Sequence, residues 1–138
     1  RGRLVHDDSS AVAKKKRFLA GDFSENDPCS ADTELIPLRR FGKDMTLVRA
    51  IPHTGRQHQI RATLFSLGFP LAGDKLYGPD ERIFLKIRSQ TISDADRALL
   101  RLPAQALHSE RLEFRHPFLN KQIRCVSPMP ESWEKLEK

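Results

Sequence analysis

Short segments in which apolar and polar residues alternate recur along the chain, and this pattern predicts strands. Two of them, residues 33–42 and 44–52, meet at a Gly-Lys-Asp turn that is typical of a hairpin. Both faces of the second segment carry apolar residues, so we expect a strand inside a sheet with helices packed on it. A further strand is predicted around Leu4, and another hairpin around residues 115–120.

A helix is predicted within residues 53–78, HTGRQHQIRATLFSLGFPLAGDKLYG. Thr54 and Gln57 fit a capping box at its start, and Gly68 followed by Pro70 fits a C-terminal stop. A loop rich in residues that break helices follows.

The two sides of this helix differ in chemistry. One apolar stripe at helical spacing is expected to face the core, and it comprises Ile60, Leu64 and Leu67. Another side combines charge with an aromatic ring, which indicates burial against something polar, and it comprises His58, Arg61 and Phe65.

Shorter helices are predicted near the C-terminal end. Ser93 and Asp96 stand where one would begin, and the tail from residue 130 starts another, with Trp133 and Leu136 facing the core. Strands interleaved with helices and hairpins predict an α+β fold, with a mixed, mainly antiparallel sheet and packed helices.

The composition limits the class of protein. The chain has 138 residues, 38% of them hydrophobic and 30% charged, which fits one globular domain. No apolar run approaches the roughly 20 residues that cross a bilayer, so we expect no membrane association. Cys29 and Cys125 lie far apart and indicate free thiols in a reducing cytoplasm.

The net charge of +6 leaves two interpretations open. A basic surface attracts nucleic acid, but moderate positive charge also serves solubility alone. The run from Lys14 to Arg17 also has two interpretations, since it suits either a solvated face or contacts with phosphates.

Searches for common catalytic patterns exclude several classes. His53 and His58 lack the spacing of a helical zinc site, so no metal is expected. Neither a phosphate-binding GxxxxGK[ST] loop nor a GxSxG nucleophile elbow occurs. Arg56 and Arg61 remain as candidate site residues, because a guanidinium on a partly buried helix usually needs a carboxylate or phosphate partner. No obvious partner precedes Arg61, so its partner is either distant or absent, and a purely structural role stays open.

The segment TGRQHQIR, with the later Gly68, Pro70, Gly73-Asp74 and Tyr77-Gly78, resembles the third signature of the RluA-type pseudouridine synthases. The segments ALHSERLEFRHPF and SPMPESWEKL resemble parts of the same family further downstream, and SSAVAKKKR resembles a part upstream. Thr63 and Phe69 depart from the signature at two positions where the family commonly has His, and both are expected either to pack in the core or to support the site residues from behind. The resemblance covers nearly the whole chain.

The family's HRLDxxTSG segment, which carries its Asp nucleophile, does not occur here, nor does the segment with its active-site Tyr. The resemblance therefore implies that residues 1–138 are the C-terminal part of a single catalytic domain. The fold would be incomplete without the upstream segment, and the chain alone would be inactive. A truncated sheet also leaves an open edge, which invites self-association.

The resemblance implies isomerisation of uridine to pseudouridine in structured RNA, without metal or organic cofactor. Ribosomal RNA is the first expected partner and tRNA the second. Arg61 would be catalytic by orienting the absent Asp. Arg56 and His58 would anchor the loop or touch RNA, Tyr77 would shape or line the substrate site, and Leu107 would pack against the flipped base.

Two other functions stay open at this point. The chain could be a non-catalytic RNA-binding module derived from such a synthase, or an interaction module that completes another chain's sheet. The salt dependence of RNA binding distinguishes them, because phosphate contacts weaken steeply as salt rises.

Overall fold

The computed structural model describes residues 1–24 and 26–134. Its first sheet has three antiparallel strands, with β1 (Gly2–His6) between β2 (Lys16–Ala20) and the two-residue β3 (Ser30–Ala31). Leu4 and Phe18, which face each other across the β1–β2 ladder, are both buried. The predicted strand around Leu4 is confirmed.

The predicted hairpin in the middle of the chain is also confirmed. β4 (Thr33–Phe41) pairs antiparallel with β5 (Met45–Pro52), and the register shifts between Pro37 and Arg39. Such a break suits a proline, which has no N–H to donate to the ladder. The expectation that β5 lies inside a larger sheet is wrong for the described residues, because β5 pairs with β4 alone and its apolar residues are half-buried.

The described residues also form four helices, α1 (Gln59–Ser66), α2 (Arg82–Arg88), α3 (Asp94–Leu100) and the single turn α4 (Glu131–Glu134). The capping box of α3 forms as its sequence predicts. The Asp96 backbone N–H donates to the Ser93 side chain, and the Ser93 N–H donates back to the Asp96 carboxylate. Trp133 is half-buried with its ring edge-on to His108, whereas Leu136 lies outside the described residues.

The last hairpin joins β6 (Arg111–Arg115) to β7 (Gln122–Val126), as predicted. All pairings among the described strands are antiparallel, in three separate sheets. The α+β class is therefore confirmed. Cys29 and Cys125 are both free thiols. No helix in the described part of the chain has the length and apolar character to span a bilayer.

Helix α1 begins later than its sequence predicts. Its N-cap is His58, in the left-handed region at φ 60°, and the Thr54–Gln57 capping box does not form. Instead, the side-chain oxygen of Gln59 accepts from the Thr54 hydroxyl at 2.7 Å and from the Arg56 N–H at 3.0 Å. These bonds hold residues 54–57 in a turn rather than in the first turn of the helix.

The apolar stripe of α1 is only partly as predicted. Leu64 is buried and Ile60 half-buried, but Leu67 is 47% exposed because the helix ends one residue earlier. Ala62 takes the central packing position and is fully buried. The main core joins the first sheet to α1 and to the loop after it, and it comprises Leu4, Val12, Phe18, Ala31, Ala62, Leu76 and Tyr77.

Candidate active site

A tight turn directs Asp74 into the protein behind α1. Gly73 has φ 73°, and its N–H donates to the Leu100 carbonyl at 2.7 Å. A Cβ at this position would collide with the Ala104 carbonyl and lie 2.9 Å from Leu102 Cβ. Only glycine meets both requirements, since it adopts positive φ freely and has no side chain to clash.

Arg61 and Asp74 form a buried bidentate ion pair. Arg61 Nε donates to Asp74 Oδ2 and Nη2 donates to Oδ1, each at 2.7 Å. The Asp74 side chain is fully buried, and its Oδ1 also accepts from the backbone N–H groups of Leu76 and Tyr77. Of the two alternatives that the sequence left open for Arg61, a distant partner or an absent one, the distant one is present. Asp74 follows Arg61 by 13 residues and lies in the loop after α1, not among the residues that precede Arg61.

The side chains around Arg61 and Tyr77 form one cluster, and Tyr77 is fully buried within it. The Arg61 guanidinium lies over its ring, 5.0 Å from the centroid, and His58 and Phe65 meet the ring edge-on at 5.5 and 6.0 Å. Its hydroxyl accepts from the Lys16 N–H at 2.8 Å and lies 3.0 Å from His58 Nδ1. The side of α1 that carries His58, Arg61 and Phe65 thus packs against polar groups, as predicted.

The cluster shifts the pKa values of its members. Burial raises the pKa of Asp74, but the hydrogen bonds from Arg61 and from the Tyr77 and Leu76 N–H groups outweigh it, so the pKa lies below its ordinary value. The hydrogen bond to Asp74 raises the pKa of Arg61. The pair is therefore ionised at neutral pH.

Burial also shifts the pKa values of His58 and Tyr77. It lowers the pKa of His58, with the Arg61 charge acting in the same direction, and it raises the pKa of Tyr77. His58 is therefore neutral at pH 7 and Tyr77 is protonated. With the Lys16 N–H already donating to the Tyr77 oxygen, the phenol proton is free to be donated to His58 Nδ1.

The basic run of residues 14–17 divides into two kinds of side chain. Lys15 is buried, with its ammonium 2.6 Å from a Glu81 oxygen and 4.7 Å from the centre of the Phe65 ring. It is therefore not part of a solvated face. The side chains of Lys16 and Arg17 form no hydrogen bond or ion pair with described residues, and they line a groove of about 540 Å³ beside Phe65.

Other predicted site residues lie apart from this cluster. Arg56 is exposed and donates from Nε to the Ser30 carbonyl at 3.0 Å, while Leu107 is 42% exposed. Within the described residues, no hydrogen bond, ion pair or ring contact links either one to Asp74 or Tyr77. Thr63 is buried as expected of a packing site, but Phe69 is 71% exposed and is not one.

Comparison with known proteins identifies relatives of this chain. No protein-family model matches the chain. YlyB of Bacillus subtilis, described as an uncharacterized RNA pseudouridine synthase, is 33% identical over 138 residues, which is 98% of this chain and 40% of that protein. Ribosomal large subunit pseudouridine synthase D of Nitrosomonas europaea is 44% identical over 86 residues, 62% of this chain and 22% of that protein.

A third relative carries the family's own name. Dual-specificity RNA pseudouridine synthase RluA of Pasteurella multocida is 33% identical over 91 residues, 66% of this chain and 34% of that protein. The resemblance predicted from the sequence is confirmed, and the chain is homologous to the RluA-type RNA pseudouridine synthases. It spans 40% or less of the length of each of these three relatives.

Proposed function

We propose that the protein containing this chain isomerises uridine to pseudouridine in structured RNA, with ribosomal RNA as the first candidate substrate and tRNA as the second. Residues 1–138 would form the C-terminal part of its catalytic domain and supply the arginine side of the active site. The nucleophilic Asp would come from a segment outside this chain. The proposal is supported by the homology and, within the structure, by the geometry of Arg61.

Arg61 retains the capacity to bind a second anion. A guanidinium has five N–H donors, and the pair with Asp74 uses one on Nε and one on Nη2. Asp74 is the only hydrogen-bonding partner of Arg61 among the described residues, so three N–H groups remain. The Arg61 side chain is 15% exposed, which leaves this outer edge within reach of a carboxylate. This remaining edge is the observation that carries the proposal.

Asp74 would act as a positioning residue for this interaction. It fixes the plane of the guanidinium from one side, and Tyr77 supports the flat face of the same group. A second carboxylate at the outer edge would then meet donors that are already oriented. His58 and Phe65 hold Tyr77 in turn, so the predicted roles of His58 and Tyr77 become support for Arg61 rather than direct contact with RNA.

The reaction itself breaks the N1–C1′ bond of uridine and forms a C5–C1′ bond. C5 loses a proton and N1 gains one, so no oxidant, reductant or cofactor is consumed. A base within an RNA fold must first be flipped out, which costs a few kcal/mol and is offset by contacts to the backbone. Arg56 and Leu107 remain candidates for contacts to RNA and to the flipped base.

Arg61 can be tested in the full-length protein with Arg61→Lys and Arg61→Ala. Because C5 loses its proton, turnover releases tritium to water from ribosomal RNA labelled at C5 of uridine. We expect both variants to lose turnover by at least 100-fold, since lysine keeps the charge but not the fork that serves two carboxylates. RNA binding, measured by filter retention, should stay within a few fold.

Arg82→Lys is the matched control, because Arg82 also pairs with a nearby carboxylate, that of Asp80, but is exposed. It should retain full turnover. Near wild-type turnover in Arg61→Lys, with unchanged thermal stability, would refute the catalytic role and shift it to Arg56. If the wild-type protein binds RNA but never releases tritium, the chain belongs to a non-catalytic RNA-binding protein.

A further inference from the structure

A second groove lies on the side of the protein formed by α2, α3 and the residues that follow α3. It has a volume of about 600 Å³, and we refer to it as the α2–α3 groove. The charged residues that line it are all basic, and apolar side chains line it as well. The principal lining residues are Lys75, Arg97, Arg101, Ile87, Ile92 and Leu102. Among the described residues, none that lines it is acidic.

Two of the three cations in this groove are available to a ligand. Lys75 forms no hydrogen bond or ion pair within residues 1–24 and 26–134. Arg97 lies 4.0 Å from Asp94, but both side chains are exposed, so water screens this contact. Arg101 is held by an ion pair with Asp44 of the β4–β5 turn. The groove thus combines one cation held by an ion pair, one in a weak, water-screened contact and one without a hydrogen bond or ion pair among the described residues.

The groove is coupled by the backbone to the candidate active site. Lys75 directly follows Asp74 in the chain, and the loop that carries both is hydrogen-bonded to Leu100, which lines the groove, and to Ala106. The Gly73 N–H donates to the Leu100 carbonyl, and the Ala106 N–H donates to the Ala72 carbonyl, each at 2.7 Å. A ligand in the groove would therefore touch the same loop that positions Arg61 through Asp74.

We infer that the α2–α3 groove binds the phosphodiester backbone of the RNA substrate at nucleotides other than the target uridine. This inference rests on the proposed function. Charge complementarity supports it, since cations without acidic neighbours in the lining attract a polyanion. Phosphate contacts position a nucleic acid without reading its sequence. The groove would accordingly set how the RNA lies on the protein while Arg61 serves the chemistry.

The test uses the full-length protein with the double substitution Lys75→Gln and Arg97→Gln. The affinity for large-subunit ribosomal RNA is measured by filter retention over a series of salt concentrations. Each lost phosphate contact lowers the slope of log K against log salt by roughly 0.7 to 0.9. We expect the slope to fall by about 1 to 2, and the apparent KM for tritium release to rise at least fivefold.

Arg40→Gln with Lys121→Gln is the charge-matched control, because both side chains are exposed and neither lines the groove. The control should change the slope by less than half as much. An equal change in both double variants would overturn the inference, because it would show an effect of net charge alone. Unchanged RNA affinity in the groove variant would also overturn it, as expected for a groove that binds an acidic protein segment.

The outcome is separable from that of the proposed function. If the wild-type protein releases no tritium but the groove variant still lowers the salt slope, the proposed function fails and the groove remains an RNA site. If tritium release is normal and the groove variant behaves as the control does, the groove inference fails and the proposed function stands.

Discussion

At the scale of single residues, the Arg61–Asp74 pair explains why both side chains can be charged inside the protein. Removing ions from water is costly, and their attraction offsets this only when the geometry is good and the remaining lone pairs are satisfied. Asp74 meets this condition with four hydrogen bonds from Arg61, Leu76 and Tyr77. The pair is also vulnerable, because loss of either member leaves the other uncompensated.

Asp74→Asn should therefore destabilise the full-length protein by on the order of 3 kcal/mol at pH 7, measured by urea denaturation. The amide removes the negative charge that compensates Arg61. Asp8→Asn is the matched control, since Asp8 also contacts a basic side chain, that of His6, but is 91% exposed. Equal stabilities of the two variants would contradict a structural role for the Asp74 charge.

The same pair predicts how stability depends on pH. The pKa of Asp74 is lower in the folded than in the unfolded protein, so the unfolded state takes up this proton first as pH falls. The stabilisation is complete above the ordinary aspartate pKa of about 4 and is lost as pH falls through the folded value. Asp74→Asn should lack this component of acid destabilisation, so the two stability curves should converge towards low pH.

The sequence did not predict which residue pairs with Arg61, and the reason is physical. Ion pairs along a helix join residues three or four apart, and nothing suitable precedes Arg61 at that spacing. The true partner lies in the loop beyond the helix, where Gly73 turns the chain back on itself. The Gly-Asp dipeptide is the signal that could have found it, since glycine marks the turn and aspartate the anion.

At the scale of elements, local sequence signals were reliable where the bonds they predict are local. The α3 capping box and both hairpins depend on residues that are close in sequence. The start of α1 was not predictable in this way, because it depends on the left-handed conformation of His58 and on Gln59, whose side-chain amide donates to the distant Asp32 carbonyl. Helix α2 was not predicted, and only Ile83 of its seven residues is buried.

The loop after α1 offers a matched pair of glycine substitutions. Gly68 and Gly73 both have positive φ, at 84° and 73°, but open space surrounds Gly68 whereas the Ala104 carbonyl faces Gly73. Gly68→Ala should cost about 1–2 kcal/mol of unfolding free energy from backbone strain alone. Gly73→Ala should cost about 1–3 kcal/mol more because of the added clash.

Thermal denaturation of the two variants, together with tritium release, separates strain from positioning. Since Gly73 sets the direction of Asp74, its variant should also lose turnover, whereas Gly68→Ala should not. Equal melting temperatures and equal activities would show that the tight approach at Gly73 does not position the site.

At the scale of the whole molecule, much apolar surface is left without a partner in the described residues. The β6–β7 hairpin is the clearest case, with Leu112, Phe114 and Val126 all at least 40% exposed. The sequence resemblance leads us to expect that a preceding part of the full-length protein covers such surface. Self-association of the isolated chain stays a prediction, and the dependence of its sedimentation on concentration would test it.

The most direct measurement of the central claim is a map of pseudouridine in ribosomal RNA and tRNA from cells with and without this gene. We predict that deletion removes pseudouridine from at least one position, that the wild-type gene restores it, and that Arg61→Lys does not. An unchanged map in the deletion strain would contradict the proposed function.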